Sequence, residues 1–169
     1  MFEHKGIKTE LSFCQITKYH FIQVIDYLFE KYGIDNIEGK ISLSNNGRPY
    51  LLYKNIYLAP TDNNLSYYQQ LNFQLSHELT HLIQDFQKRG LQIKIKVVDN
   101  KVIQQPFPNN SIQETEAIAN AVDVIENVLK YEGYNARQNE YPEYYDYDEA
   151  FRLVDSGEID VFRKIQSKL

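Results

Sequence analysis

One cysteine, one methionine and no tryptophan occur among the 169 residues. The lone thiol, Cys14, excludes an internal disulfide, and it excludes a thiolate zinc cluster built within one chain. Any metal site must therefore draw on histidine and carboxylate. Long apolar runs are lacking as well: no stretch approaches the about 18 apolar residues of a membrane span, so no membrane partner is expected. The segment Met1 to Glu10 carries Glu3, Lys5, Lys8 and Glu10 where a secretory signal would carry an apolar core. A cytoplasmic location is the default expectation, and export by a route without such a signal is compatible with it. Clustered lysine and arginine are missing too. With a net charge of −5, the chain has no basic surface with which to neutralise phosphates, so no nucleic-acid partner is expected.

What is present is an ordinary globular composition, 43% hydrophobic and 24% charged, which fits a single domain over residues 1–169. Apolar residues recur at three and four from about 15 to 32 (Tyr19, Ile22, Ile25, Phe29, Tyr32), and Gly33 supplies a stop. From Lys40 the period changes to two, with Ile41 and Leu43 alternating against Ser42 and Ser44. Strands are expected at Tyr50 to Tyr53 and Asn55 to Ala59, closed by Pro60. A second helix is expected from about Ser66 to Lys88, ended by Gly90, with Leu71, Leu75, Leu79, Leu82 and Phe86 as its inward stripe. A hairpin around Asp99-Asn100 follows, then a helix from about Ile112 to Tyr131 with Ile118, Val122, Ile125 and Leu129 facing the core. The stretch Tyr134 to Tyr147 is crowded with tyrosines and acids, and reads as an aromatic loop packed on the body or a rim for substrate. Short helices, Tyr147 to Val154 and Glu158 to Lys168, close the chain.

Two of the four histidines, His77 and His81, stand in the block His77-Glu78-Leu79-Thr80-His81, an H-E-x-x-H inside the second helix. Histidines four apart lie one helical turn from each other on one face, so both imidazoles can reach one ion. Glu78 is placed to take a proton from a water held by that ion. The stripe that packs inward lies about 100° away, which leaves the histidines facing a cleft. A catalytic zinc needs three protein ligands and an open position for water. His4 and His20 are far upstream, so the third ligand should be a carboxylate, and the later helix offers Glu114, Glu116, Asp123 and Glu126.

The pattern resembles the gluzincin clan of zinc metallopeptidases, in which H-E-x-x-H is followed on a later helix by a glutamate ligand. The segment Glu116-Ala117-Ile118-Ala119-Asn120 is similar to the E-x-x-A-N stretch of minimal gluzincins and of ImmA/IrrE-type peptidases, and His81-Leu82-Ile83-Gln84 to an H-x-x-Q ending in several such families. The resemblance implies an α+β, zincin-like fold: an N-terminal helix, a small mostly antiparallel sheet, the H-E-x-x-H helix, the glutamate helix and short C-terminal helices. It implies one Zn²⁺ per chain held by His77, His81 and Glu116, with Glu114 as the competing third ligand. Asn120 and Asp123 are the supporting residues, and Glu78 is the general base. It implies that the strand Asn55, Ile56, Tyr57, Leu58, Ala59 takes up extended peptide. A third histidine of the H-E-x-x-H-x-x-G-x-x-H kind is missing, since Gln84 and Gln87 stand at those spacings. With no histidine after His81, the transition-state donor that gluzincins supply from downstream would be a tyrosine between Tyr131 and Tyr147. The expected activity is peptide-bond hydrolysis. Two other readings are an ImmA-like regulatory peptidase cleaving a repressor, and a zincin scaffold that binds protein without turnover. Oligomeric state is not legible.

Overall fold

Turn residues at positive φ divide the chain into its elements. The computed structural model describes residues 1–11, 15–60, 67–90, 93–106, 111–132, 135–138 and 147–158. The chain opens with two short strands, β1 (Phe2–His4) and β2 (Ile7–Thr9), joined through Lys5 and Gly6, both at positive φ. Such two-residue turns match the twist of paired strands. Helix α1 spans Gln15–Tyr32. It ends in a Schellman motif: Gly33 takes φ +66°, its N–H donates to the Glu30 carbonyl, and Ile34 N–H donates to that of Phe29 (2.8 Å). Phe21, Val24, Ile25, Leu28 and Phe29 are its buried face, whereas Tyr19, expected inside, is exposed.

Strands β3 (Gly39–Leu43), β4 (Tyr50–Leu52) and β5 (Asn55–Leu58) complete a five-stranded sheet in the order β1-β2-β3-β5-β4. Antiparallel pairing was expected to dominate, but the sheet is mixed: β2–β3 and β3–β5 are parallel, β1–β2 and β4–β5 antiparallel. The reason is the N-terminal hairpin. Its three-residue strands are too short to carry a periodic signal, yet β2 enters the sheet and makes α1 a crossover between parallel neighbours. Ile7, Ile41, Ile56 and Leu58 form the buried sheet face.

Helix α2 (Tyr67–Phe86) runs through the middle of the molecule, against α1, β5 and later helices. Leu71, Leu75, Leu79, Leu82 and Ile83 are buried as a stripe, while Phe86 at its end is exposed. Polar residues are buried around much of the rest: Asn72, Ser76, Thr80, Glu78, His81 and Gln84. Ser76 and Thr80 satisfy their hydroxyls on carbonyls one turn back, both at 2.7 Å. The helix stops before Gly90. Lys88 takes φ +59°, Lys88 N–H donates to the Asp85 carbonyl and Arg89 N–H to that of Gln84, a second Schellman motif with a non-glycine at its left-handed position. A Cβ at Gly90 would meet the Asp85 carboxylate, so a larger residue there would have to displace that side chain.

The hairpin β6 (Ile93–Val98) and β7 (Lys101–Pro106) turns through Asp99 and Asn100, both at positive φ. Helix α3 (Ser111–Asp123) packs on α2 and widens into a π turn over Val124–Val128, shorter as an α-helix than the expected run to Tyr131. Ile118, Val122 and Ile125 are buried as expected, and Leu129 is partly buried. A 3₁₀ turn at Ala136–Gln138 and helix α4 (Tyr147–Ser156) follow, tied by Arg137, which bridges Glu126 and Asp155. Tyr134, Tyr141, Tyr144 and Tyr145, and the expected last helix beyond residue 158, lie outside the described residues. Among the described residues no helix is long and apolar enough to cross a membrane.

Candidate metal centre

His77 and His81 face the same side of α2 because four residues bring a helix just past a full circle. Their rings meet edge to face with centroids 4.9 Å apart, and their Nε2 atoms are 3.2 Å apart. Helix α3 lays Glu114 against them, its Oε2 lying 3.3 Å from each Nε2. Three donor atoms thus form a nearly equilateral triangle. Bonds of about 2.0–2.1 Å in a tetrahedral array put neighbouring ligand atoms about 3.3–3.4 Å apart, so the triangle has the size of one face of a zinc tetrahedron. Glu114 Oε2 is buried and makes no hydrogen bond to the protein. A buried carboxylate oxygen set between two imidazole nitrogens presents the donor set a divalent cation takes. A buried group of His77, His81 and Glu114 could therefore hold a metal ion.

The electrostatics follow from that packing. Burial alone would lower the His81 pKa, but the adjoining Glu114 and the charge of Glu78 outweigh it and push it up to about 9. Burial would raise Glu114, yet the two imidazoles hold its carboxyl well below the usual range. Glu78, inside the H-E-x-x-H block, is raised by burial, with the histidines partly offsetting the shift. It is a carboxylate made more basic than a surface glutamate. The His77 side chain is 15% exposed against 3% for His81 and 8% for Glu114, so solvent reaches the cluster from the His77 side.

Glu116, the expected third ligand, is elsewhere. It lies two positions from Glu114, about 200° around α3, and the packing of α3 turns Glu114 and not Glu116 toward the Nε2 atoms. Glu116 is fully buried and accepts four hydrogen bonds: two from Arg89, one from Tyr32 Oη (2.6 Å) and one from Gln84 Nε2 (2.9 Å). Burial, then the charge of Glu116, raises the Tyr32 hydroxyl well above its ordinary pKa. Asn120 and Asp123, expected beside the histidines, have their hydrogen bonds elsewhere. Asn120 donates to Tyr32 Oη (2.6 Å) and Thr80 Oγ1 (3.1 Å) and accepts from Lys31 Nζ (2.9 Å). Asp123 accepts from Tyr27 and Asn127 and lies 3.6 Å from Lys31 Nζ. The group that does meet an imidazole is Gln84, whose Oε1 is 2.8 Å from His81 Nδ1. Its only trace in the sequence is the H-x-x-Q spacing; Arg89 and Tyr32 have none.

The strand Asn55 to Ala59 does not offer an edge for extended peptide. Strand β5 is hydrogen-bonded on one side to β3 and on the other to β4. Ala59 is closed too, since its N–H donates to Gln74 Oε1 (2.8 Å) and its carbonyl accepts from Gln74 Nε2 (3.1 Å). The edge on that side of the sheet belongs to β4. Tyr131, one of the tyrosines expected near the reacting centre, instead accepts from Asn72 Nδ2 (2.8 Å) and lies 2.6 Å from His20 Nδ1. A groove of about 610 Å³ along β1 to β3 shares no residue with the histidine cluster. Comparison of the chain with protein-family models, with curated proteins and with solved structures returns no match.

Proposed function

We propose that the chain is a zinc-dependent peptidase in which His77, His81 and Glu114 hold the ion and Glu78 is the general base. The observation that carries this reading is the triangle of the two Nε2 atoms and Glu114 Oε2 at tetrahedral spacing, with Glu78 on the same helix turn as the histidines. Zinc bound there would bring the pKa of a coordinated water down toward about 7 and polarise the scissile carbonyl. The protein's own part is to position and to move a proton. The buried Glu78 carboxylate, with its raised pKa, is suited to take the water's proton and pass it to the leaving amine. His81 is braced at Nδ1 by Gln84, which leaves Nε2 for the ion. A peptide adding itself to the sheet would meet the edge of β4. The resemblance to gluzincins supports the same reaction class, with the glutamate ligand moved from Glu116 to Glu114.

The test is direct. Purified protein is titrated with zinc to obtain a stoichiometry, then incubated with an unstructured protein with and without a chelator. One zinc per chain and chelator-sensitive cleavage are the expected results. A protein that takes up zinc but leaves the substrate intact is a binding scaffold, and the peptidase reading fails.

A further inference from the structure

The carboxylate that most often braces a metal-binding histidine does so directly. Here the brace is in two parts. Gln84 Oε1 meets His81 Nδ1 at 2.8 Å, and Gln84 Nε2 donates to Glu116 Oε1 at 2.9 Å and to the Gln113 carbonyl at 3.0 Å. An amide can be turned end for end, and the two acceptors decide which end faces the histidine. A carboxylate and a carbonyl both demand the NH₂ group, so the amide oxygen is left facing Nδ1. That oxygen can only accept, so Nδ1 carries the proton, and in the neutral ring the Nε2 lone pair is left on the side of His77 and Glu114. Glu116 in turn cannot turn away: Arg89 grips both its oxygens, and Tyr32 Oη donates to Oε2. The Schellman motif at the end of α2 returns the chain so that Arg89 reaches that carboxylate.

We infer that Gln84, oriented by the buried Glu116–Arg89 pair, is a positioning residue that fixes His81 as the Nδ1–H tautomer and so presents its Nε2 lone pair to the site. The role in metal affinity rests on the zinc reading above; the tautomer does not. Charge and brace are thereby separated. The group against the histidine is neutral, and the acid that orients it sits one side chain further back, neutralised by its own arginine. Glu116 is therefore tied to the site through Gln84, although it is no ligand.

Two measurements test this. In chelator-treated wild-type protein, at a pH above the loss of charge from His81, ¹⁵N NMR of the imidazole reads the tautomer, and the proton is expected on Nδ1. A proton on Nε2 overturns the inference, and no variant is needed to see it. Zinc affinity, measured by competition with a colorimetric chelator, is then compared in Gln84→Met, Glu116→Gln and the double variant. Gln84→Met is expected to lose about 10–100-fold, and Glu116→Gln less, because Gln113 still holds the amide. Placing Glu116→Gln in the Gln84→Met background is expected to cost nothing more, since the amide through which it acts is gone. Losses that multiply in the double variant overturn the relay. Wild-type protein that binds no zinc refutes the peptidase proposal while leaving the tautomer measurement to decide this one.

Discussion

Replacing Arg89 by methionine keeps most of the side-chain volume and removes the only cation that, among the described residues, is bonded to the fully buried Glu116 carboxylate. Glu116 is 0% exposed, and of the four hydrogen bonds it accepts, the two charge-assisted ones come from Arg89. Tyr32 and Gln84 remain, both neutral. Breaking a buried ion pair from one side costs about 3–5 kcal/mol, because a charge is left in low dielectric without a partner. For a chain of this length, about 2–4 °C of melting temperature corresponds to each kcal/mol, so a drop of roughly 6–20 °C is expected. The assay is urea unfolding followed by circular dichroism, in chelator so that metal binding does not add its own stabilisation. The midpoint should fall with little change in slope. Arg89→Met/Glu116→Met should recover most of the loss, because removing both charges removes the stranded one. A loss below about 1 kcal/mol, typical of exposed pairs, would show that Arg89 and Glu116 are not locked together inside the protein.

Glu78→Gln should bind zinc as the wild type does and lose about 10²- to 10⁴-fold in peptide hydrolysis, measured on zinc-loaded protein; equal activity would remove Glu78 as the base. Glu114→Ala should weaken zinc binding by more than the about 10–100-fold typical of supporting residues, and retained affinity would return the ligand role to another carboxylate. In metal-free protein the His81–Glu114 pair contributes stability over a bounded pH window. The raised His81 contribution is complete below its unfolded value near 6.5 and disappears as pH rises through about 9; the depressed Glu114 contribution is complete above 4.5 and disappears as pH falls. Thermal melts across pH should show both flanks, and Glu114→Gln should flatten them. Lys88→Gly should raise stability by about 1 kcal/mol in the same urea assay, because it relieves a left-handed non-glycine residue at φ +59° without touching the Arg89 side chain.

What could be read without tertiary information was whatever depends on near neighbours in the chain. His77 and His81 share a face of α2 because helical geometry alone carries one to the other, and the block containing Glu78 needs nothing more. Gly33 ends α1, and Asp99 and Asn100 turn the hairpin, for equally local reasons of backbone sterics. Packing between distant segments decided the rest. The rotation of α3 about its own axis selected Glu114 over Glu116, and nothing within residues 111–123 reveals that angle, since both carboxylates have a polar partner waiting on α2. Only the assembled sheet places β5 between β3 and β4 and so leaves Asn55 to Leu58 without a free edge, because an edge is a property of neighbours and not of a strand. The brace on His81 divides along the same line. Gln84 stands three residues away on the same helix, while its orientation depends on Glu116, Arg89 and Tyr32, gathered from three segments by the closing of the core.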